Sequence, residues 1–500
     1  MAVLIYGLVV LLASILYTIY TRLYLSPLAR FPGPKLAALT GWYEFYYNIF
    51  PHGGQFIWEL ERMHRVYGPV VRINPYEIHV DGPEFYDELY AGGGKRRDKY
   101  PWFTRGGGSP HSAFETNEHD LHRVRRGAIN PFFSKRSIVA IEPIIVTQVQ
   151  NLCALLRARC ASQQVLDLRV AFSSLTLDII SAYCFGDTWG CLQDEELAEM
   201  WKFTLDDIFE KANLIMHVPW LLDLINRLPD KWAGPVVRHH RNTKKHVSAV
   251  LRHEDGKDSA SIEKGQHSIF HELRDSSELP QVEKTVDRLA AEGNILIGAG
   301  SETTAQVLAV LGFHLLDNPE SLRKLREELD AVMPTGDEVV KWQDLEKLPY
   351  LAAVLNEGLR ISSPVATRLP RIAPTEELRF GGWDIPAGTP ISMSYYFIHL
   401  NESIFPSPKK FMPERWIDAT AKGVRLDRFL VPFSKGSRNC VGLNLAWAEL
   451  YLAAAIVFRK FDLELYETTN KDVEMVRDCF VGQPWKGSQG IRVKVVGERA

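Results

Sequence analysis

A ten-residue stretch near the C-terminus constrains this chain more than any other feature. Residues 433–442 read FSKGSRNCVG, with glycines four residues before and two residues after Cys440. An apolar helical pattern follows, so we expect a tight glycine loop that presents one thiolate at a helix N-terminus, where the helix dipole stabilises the anionic sulfur. A buried structural cysteine is the alternative, but five fixed residue types in ten positions arise by chance in about one of ten thousand chains.

The other cysteines lack such surroundings. Six cysteines in 500 residues are too few for a disulfide scaffold. The chain also has no C-x-x-C pair that would indicate a zinc or thioredoxin-like site. We therefore expect purely structural roles for Cys153, Cys160, Cys184, Cys191 and Cys479.

The N-terminus is the second unusual segment, because residues 2–21 carry no charge and are mostly apolar. About 20 apolar residues cross a bilayer as a helix. Arg22 follows the run and no basic residue precedes it, which places the rest of the chain in the cytosol. A cleaved signal peptide is the alternative, although the run lacks a basic n-region. We predict a transmembrane anchor over 2–21, a stiff proline-rich hinge over 22–36 and a catalytic domain over 37–500.

The body of the chain is predicted to be mainly α with a minor β part. The net charge of −3 gives no electrostatic signature of nucleic-acid binding. A single domain of about 470 residues exceeds the usual size of one core, and a large cofactor is one candidate for organising it. Helical patterns cover 138–159, 167–184 and 322–333; strand-like runs cover 70–73 with 77–80, 378–386, 390–393 and 491–496; and the polar stretch 253–266 is expected to be a surface loop.

The cysteine loop resembles the haem-binding loop F-x-x-G-x-R-x-C-x-G of cytochrome P450 monooxygenases, and the resemblance extends over essentially the whole chain. It implies the cytochrome P450 fold behind a single N-terminal transmembrane helix, with haem b as the cofactor. Cys440 would be the iron ligand, and a thiolate favours O–O cleavage by donating electron density. Phe433 would pack beside the haem, and Gly436 would belong to the same loop.

Two further motifs of the family occur in the expected order. Glu357 and Arg360 form its E-x-x-R, which shares one helix face and holds the scaffold of the cysteine loop. In the family this pair also bonds a segment that reads PERW here, with Trp416 in place of the usual Phe. Residues 299–304 (AGSETT) match the motif on the long helix that crosses the haem.

The long-helix motif carries the proposed chemistry. The resemblance implies that Thr303 hydrogen-bonds the oxygen species and that Glu302 relays protons from solvent. Gly300 would leave room for oxygen, and a local widening of the helix is expected there. The alternative is a helix with a Ser/Thr kink that faces solvent.

Four basic side chains are implied as partners of the haem propionates. His122 and Arg126 occupy the family's W-x-x-x-R, with histidine at the Trp position, and their i, i+4 spacing keeps both on one face. Arg438 lies in the loop itself. Arg371 matches a further propionate position, for which Arg368 is the competitor.

The segments that line the distal pocket in this family are mostly apolar or small here, which suits a hydrophobic substrate. The opening segments look most like those of filamentous-fungal P450s of secondary metabolism, similar to enzymes that oxidise terpenoids such as trichodiene. Polyketide and alkaloid substrates stay open. The pocket segments are 102–116, 203–220, the helix around Ala299, 362–367 and 480–485.

The resemblance implies an external electron donor, because no segment here binds NADPH or flavin. The donor would be NADPH-cytochrome P450 reductase, with cytochrome b5 as a further candidate, at the endoplasmic reticulum membrane. Lys435, Arg438 and a basic face of Arg123 and Arg125 would offer an acidic reductase a positive docking surface.

Two other functions compete with oxygen insertion. A reductase-independent haem-thiolate isomerase or dehydratase tends to lose the acid–alcohol pair, so Glu302 and Thr303 favour the monooxygenase. A non-catalytic haem sensor needs neither that pair nor a membrane anchor.

Overall fold

The structure is a computed structural model that describes residues 2–227, 229, 234–252, 268–336 and 338–499. The surface loop expected over 253–266 lies outside the described residues. The described part is mostly helical and contains four small sheets, which confirms the predicted fold class.

Helices form most of the framework. A π-helical turn, Thr21–Leu25, extends the first of them. The described α-helices are α1 (Ala2–Tyr20), α2 (Lys35–Leu39), α3 (Trp42–Ile49), α4 (Phe56–Tyr67), α5 (Tyr86–Leu89), α6 (Pro101–Thr104), α7 (His119–Ile129), α8 (Lys135–Ala140), α9 (Glu142–Ser162), α10 (Leu168–Phe185), α11 (Glu195–His217), α12 (Trp220–Asn226), α13 (Pro235–Leu251), α14 (Ile269–Asp275), α15 (Val286–Asp317), α16 (Pro319–Val332), α17 (Trp342–Leu345), α18 (Pro349–Ile361), α19 (Tyr395–His399), α20 (Glu414–Ala421) and α21 (Leu443–Lys460).

The strands are short. They are β1 (Val70–Arg72), β2 (Ile78–Val80), β3 (Asp98–Lys99), β4 (Leu166–Asp167), β5 (Arg371–Ile372), β6 (Leu378–Phe380), β7 (Trp383–Ile385), β8 (Pro390–Ser392), β9 (Phe461–Leu465), β10 (Arg477–Cys479), β11 (Val481–Gln483) and β12 (Arg492–Glu498). The largest sheet has the order β1-β2-β8-β5-β3, and the others are β4-β12-β9, β6-β7 and β10-β11. In the largest sheet β2 pairs antiparallel with β1 and parallel with β8.

Two predicted elements are each divided in the structure. The helix predicted over 138–159 is the pair α8 and α9, separated at Ile141. Pro143 lacks the N–H that would continue the hydrogen-bond ladder, so a new helix begins there. The strand predicted over 378–386 is the hairpin β6-β7, because Gly381 and Gly382 turn the chain with φ of +56° and +81°.

The helix predicted over 167–184 is confirmed as α10, and its ends follow from local chemistry. Asp167 caps the N-terminus by accepting a hydrogen bond of 2.8 Å from the Arg169 N–H. Gly186 ends the helix in the left-handed conformation, with φ of +80°. The helix predicted over 322–333 is α16, which begins earlier because Asn318 caps it.

The long helix α15 passes through the largest core cluster and packs extensively against α10. A Cβ at Gly300 would lie 2.8 Å from Cγ1 of Ile180, so the glycine allows the close approach of α10. The expectation that Gly300 leaves room for oxygen is therefore wrong, because Ile180 occupies that side. The expected widening is also wrong: α15 remains α-helical through this position.

The N-terminal apolar helix is a candidate membrane span over Ala2–Leu25. None of its most apolar stretch is buried against the rest of the protein. Two further described helices, α10 and α15, are long and apolar enough to span a bilayer, but most of each lies inside the fold. The segment predicted as a hinge packs against the domain, where Leu28 and Phe31 are buried. The Arg72 N–H also donates to the Pro32 carbonyl at 2.7 Å.

Candidate haem site

The cysteine loop is closed by a hydrogen bond of 2.9 Å from the Cys440 N–H to the Phe433 carbonyl. Gly436 adopts φ of +72°, and a Cβ there would lie 2.1 Å from the Ala91 carbonyl oxygen. Only glycine allows this approach, so Gly436 shapes the loop rather than contacting a ligand through a side chain. The loop leads into α21, whose N-cap is Gly442.

Cys440 lies at a cavity of about 380 Å³. Cys440 is exposed to this cavity. Desolvation by the surrounding protein raises the pKa of its thiol, while the Gly442 N–H and Arg126 act in the opposite direction. Without a metal cation the sulfur therefore favours the thiol form, and iron binding would release its proton. The cavity is lined by Arg126, Asn130, Phe133, Ser134, Gly436, Ser437, Asn439, Cys440, Val441, Leu443 and Asn444.

Two predicted propionate partners are buried arginines. Arg438 donates to the carbonyls of Thr116 and Asn117 at 2.5 and 2.7 Å, and its Nε has no partner in the described structure. Within the part of the chain that the structure describes, Arg371 donates to the carbonyls of Leu369 and Pro370 and to no other group. Burial lowers the pKa of both guanidinium groups, and Arg371 adds to the effect on Arg438, whose pKa falls to about 9.

The two residues predicted on one helix face both lie in α7 beside these arginines. Arg126 donates to the carbonyl and side-chain oxygens of Asn439 at 2.7 and 3.2 Å, and so contacts the cysteine loop. His122 is buried, and burial together with the charges of Arg438, Lys99, Arg126 and Arg371 lowers its pKa to about 2. His122 is therefore neutral and faces cations.

Lys99 is a further member of this group, and no sequence motif pointed to it. It lies buried in β3, where its Nζ donates to the Phe114 carbonyl and sits 3.7 Å from the centre of the Phe114 ring. Burial and the neighbouring charges of Arg371 and Arg438 lower its pKa well below the usual value. Its only sequence signal was a basic residue in an otherwise buried segment.

We call the basic side chains Lys99, Arg126, Arg371 and Arg438, together with the neutral His122 that they surround, the cationic cluster. Among the described residues, no ion pair joins any member to a carboxylate. Buried cations without an anion are costly. The unpartnered Arg438 Nε and the excess positive charge beside Cys440 therefore match a ligand that carries carboxylates and a metal, as haem b does.

The competitor Arg368 has a different environment. It pairs with Glu44 at 2.9 Å and with Glu77 at 2.8 Å, and all three side chains are buried. Burial lowers the pKa of Arg368, but the two carboxylates outweigh it and raise the pKa overall. Arg368 is thus fully paired within the protein, which leaves Arg371 as the residue free to bind an anion.

The predicted E-x-x-R pair forms a buried network around Glu357. Arg360 donates to both of its carboxylate oxygens, at 2.9 and 2.7 Å, and Arg415 donates at 3.1 Å. The Met412 N–H donates at 3.0 Å. The Trp416 indole adds a further hydrogen bond of 3.0 Å, so tryptophan contributes a donor that phenylalanine would lack.

Thr303 and Ala299 lie on the least buried stripe of α15. The Thr303 hydroxyl donates to the Ala299 carbonyl at 3.0 Å. The Phe433 carbonyl accepts the hydrogen bond that closes the cysteine loop. The Phe433 ring packs against Trp447, with ring centroids 6.0 Å apart. No described hydrogen bond or ion pair joins Thr303 or Glu302 to the Cys440 loop. These two predicted residues therefore lie outside the hydrogen-bond network of the loop.

Glu302 points away from Thr303 and is buried in an ion network. It accepts from Lys202 Nζ at 3.0 Å, and Lys202 also pairs with Asp206 at 2.5 Å. Burial raises the pKa of Glu302, while Lys202 and Arg169 lower it. Asp206 is about one-third exposed, so the network extends from the buried carboxyl to solvent.

The predicted docking surface is partly wrong. Arg125 is buried and pairs with Glu283 at 2.7 Å, and Arg438 is buried in the cationic cluster. Neither guanidinium faces solvent, because Arg125 is held by Glu283 and Arg438 is held by the carbonyls of Thr116 and Asn117. Arg123 is exposed, and Lys435 is half-buried and paired with Asp87 at 2.6 Å.

Comparisons with known proteins agree with this geometry. A family model described as cytochrome P450 matches residues 38–487. The chain is 44% identical over 483 residues to the tryptophan 6-hydroxylase fscE of Fusarium equiseti, covering 95% of this chain and 93% of the relative. It is 45% identical over 475 residues to the conidiogenone synthase PchP450 of Penicillium rubens, covering 95% of each. It is 40% identical over 495 residues to the N-acetyltryptophan 6-hydroxylase ivoC of Emericella nidulans, covering 97% and 96%.

Proposed function

The chain belongs to the cytochrome P450 family of haem-thiolate monooxygenases, and we propose that it inserts one oxygen atom from O2 into a hydrophobic small molecule of fungal secondary metabolism. Its electrons would come from an NADPH-dependent cytochrome P450 reductase, with cytochrome b5 as a second candidate donor. The observation that carries the proposal is the juxtaposition of Cys440 with a cationic cluster whose members form no ion pair with a carboxylate among the described residues.

In this proposal Cys440 Sγ would ligate the iron of haem b, and the cationic cluster would hold its propionates. Arg371 and Arg438 supply charged donors, while neutral His122 supplies one N–H. Phe433, at the start of the loop that presents the sulfur, packs against Trp447 of α21. When bound, haem b supplies the chemistry of oxygen activation.

The protein would supply the protons. The Glu302 carboxyl exchanges protons with solvent through Lys202 and Asp206, since the three side chains are in direct contact. Burial raises the pKa of Glu302, which favours the protonated carboxyl that a proton donor needs. The Thr303 hydroxyl, one residue further along α15, would hold a proton toward the distal side. The path between the two requires a side-chain rotation or a water molecule.

The substrate is proposed to contact aromatic side chains from three of the expected pocket segments. Phe480 stacks on Phe209, with centroids 5.8 Å apart and planes at 7°, and meets Phe114 edge-on. Phe480 has φ of +71°, a strained value that its own N–H bond to Asp478 and a bond from the Ala366 N–H help to maintain. Such a site suits planar aromatic or terpenoid skeletons.

The names of two relatives make tryptophan derivatives the first substrates to test, with terpenoids and polyketides as the other classes. The proposed location is the endoplasmic reticulum membrane, with α1 as a single-pass anchor and the catalytic domain in the cytosol. The proposed boundaries are 2–21 for the anchor, 22–36 for the connecting segment and 37–500 for the catalytic domain.

The test is turnover by the full-length holoprotein in lipid vesicles with reductase, NADPH and 18O2. We expect a product that carries one 18O atom and requires all three components. Glu302→Gln should lower kcat while the substrate-induced spectral shift keeps its dissociation constant. A product formed equally without reductase and NADPH would instead favour the isomerase or dehydratase function.

A further inference from the structure

The β10–β11 hairpin places a carboxylate beside the aromatic side chains that are proposed to contact the substrate. Asp478 lies in β10, two residues before Phe480, and its Oδ1 accepts a hydrogen bond of 3.1 Å from the Phe480 N–H. The Ala366 N–H donates in turn to the Phe480 carbonyl at 2.8 Å. These bonds hold the Asp478 carboxylate next to the backbone that carries the ring stacked on Phe209.

Asp478 combines partial accessibility with strong desolvation. The residue is partly exposed, yet the surrounding protein raises the pKa of its carboxyl to about 7. The charge of Glu44 adds to this shift, whereas hydrogen bonds from the Phe480 N–H and Thr367 oppose it. A carboxylate at the outer surface would keep its hydration and an ordinary pKa. Asp478 therefore faces a space inside the fold, as Cys440 does at the haem cavity.

The cation that favours ionisation of Asp478 is already paired with other carboxylates. Arg368 bonds Glu44 at 2.9 Å and Glu77 at 2.8 Å, so one guanidinium serves two buried acids. In the part of the chain that the structure describes, no ion pair joins Asp478 to a cation. With Asp478 ionised, this group holds three negative charges and one positive charge. Such an excess favours a cationic ligand, because a buried carboxylate without a cation is costly.

Gln306 of α15 brings an unused acceptor to the same hairpin. Its Nε2 donates to the Gly482 carbonyl at 3.3 Å, and this contact with an acceptor fixes the orientation of the amide. Gly482 is the residue paired with Asp478 across the hairpin. The Gln306 Oε1 has no hydrogen-bond partner in the described structure, although Gln306 is only 5% exposed. A buried acceptor without a donor calls for a ligand that carries one.

We propose that Asp478 and Gln306 form a subsite for a primary ammonium group of the substrate, whose apolar part packs against Phe480 and Phe209. An ammonium group supplies the missing positive charge and three N–H donors for the waiting oxygen atoms. The subsite rests on the proposed function and narrows it, because it selects hydrophobic amines from the open substrate classes. Neutral terpenoids and polyketides would leave the Asp478 carboxylate without a cation.

The test compares tryptamine with its neutral isostere 3-propylindole on the full-length holoprotein in lipid vesicles, at a pH above the pKa of Asp478. Equilibrium dialysis gives the dissociation constants, and comparing each ligand between variants in the same lipid cancels its partition into the bilayer. Asp478→Asn should weaken tryptamine binding by about tenfold, the size expected for a charge-assisted hydrogen bond, and leave 3-propylindole binding unchanged. Asparagine keeps the oxygen that accepts from the Phe480 N–H, so the hairpin is preserved.

Two further variants check the second acceptor and the effect of charge. Gln306→Met should weaken tryptamine binding by about threefold, because it removes an uncharged acceptor. Glu474→Gln removes an exposed carboxylate that pairs with Lys409, and it should change the binding of neither ligand.

Three results would each overturn the ammonium subsite. They are the failure of the native protein to bind tryptamine, an equal change for both ligands in Asp478→Asn, and a Soret shift to longer wavelength that places the amine nitrogen on the iron. The reduced carbon-monoxide spectrum and the incorporation of 18O from O2 test the proposed function separately, so either conclusion can fail without the other.

Discussion

The Glu357 network and the cationic cluster both bury arginines, but they differ in whether those arginines meet a carboxylate. Arg360 and Arg415 each bond Glu357, and the indole of Trp416 completes the site. In the cationic cluster, the hydrogen bonds that Arg371 and Arg438 make to described residues all go to backbone carbonyls.

This difference separates a scaffold from a binding site. A buried cation that is paired inside the protein stabilises the fold, and removing its partner is strongly destabilising. A buried cation without an internal anion offers its charge to a ligand. The variants below test that distinction. Loss of a charge should destabilise the fold in the Glu357 network, whereas it should weaken haem binding in the cationic cluster.

The largest effect is expected at Glu357. Glu357→Gln leaves two buried guanidinium groups without a carboxylate, which should lower the free energy of unfolding by about 3–5 kcal/mol. Denaturant unfolding followed by circular dichroism measures it. Glu320→Gln, which alters an exposed pair with Arg323, is the control and should show no measurable change. Equal, small effects of both variants would show that the Glu357 network is not the scaffold.

Loss of a cation from the cationic cluster should weaken haem binding without weakening the fold. Arg371→Met or Arg438→Met should each reduce haem affinity by about 10–100-fold, since a charge-assisted hydrogen bond contributes about 1.5–3 kcal/mol. Haem transfer to apomyoglobin measures the affinity. The unfolding free energy of the haem-free chain should not fall.

Arg368→Met is the matched control for the preceding prediction. It removes a buried arginine three residues from Arg371, yet it leaves Glu44 and Glu77 unpaired. We expect a loss of folding stability in the haem-free chain. If Arg371→Met destabilised the haem-free chain as much as Arg368→Met, the distinction between a paired buried arginine and an arginine of the cationic cluster would fail.

Glu115, a buried acid that interacts with Lys99 of the cationic cluster, should produce a pH-dependent stability. Burial raises the pKa of Glu115 to about 7, with Lys99 opposing the shift. The folded chain therefore holds a proton that the unfolded chain releases at lower pH, so stability should fall as pH rises from 4.5 to about 7. Glu115→Gln should remove a decline on the order of 3 kcal/mol. Exposed Glu118→Gln should keep it, and an unchanged slope in Glu115→Gln would refute the assignment.

The smallest effect is expected at the exposed cations. Arg123→Glu should raise the reductase concentration needed for half-maximal turnover by about threefold at low salt, and the difference should vanish at high salt. Steady-state NADPH oxidation with product detection measures it. Arg425→Glu, an equally exposed change elsewhere, should have no effect, and a similar response of both variants would exclude a specific docking role for Arg123.

The sequence predicted what depends on short spacing. The glycines around Cys440, the i, i+3 pair Glu357–Arg360 and the apolar N-terminal run each encode their environment within a few residues. Proline at position 143 also carried enough information to divide the helix predicted over 138–159, although periodicity alone concealed the break.

The errors arose where a distant segment decides the outcome. Gly300 faces Ile180, which lies 120 positions earlier, so no local pattern reveals that contact. Arg125 was expected in solvent because its neighbours are basic, yet it is buried in an ion pair with Glu283. Lys99 became part of the cationic cluster only through sheet pairing between β3 and β5.

The central claim is that Cys440 binds the haem iron beside the cationic cluster. The reduced carbon-monoxide spectrum of the full-length protein tests it directly, with Cys153→Ser as a control for a buried spectator cysteine. We predict a thiolate-type Soret band in the native protein and in Cys153→Ser, and its loss in Cys440→Ser. Retention of that band in Cys440→Ser would contradict the account.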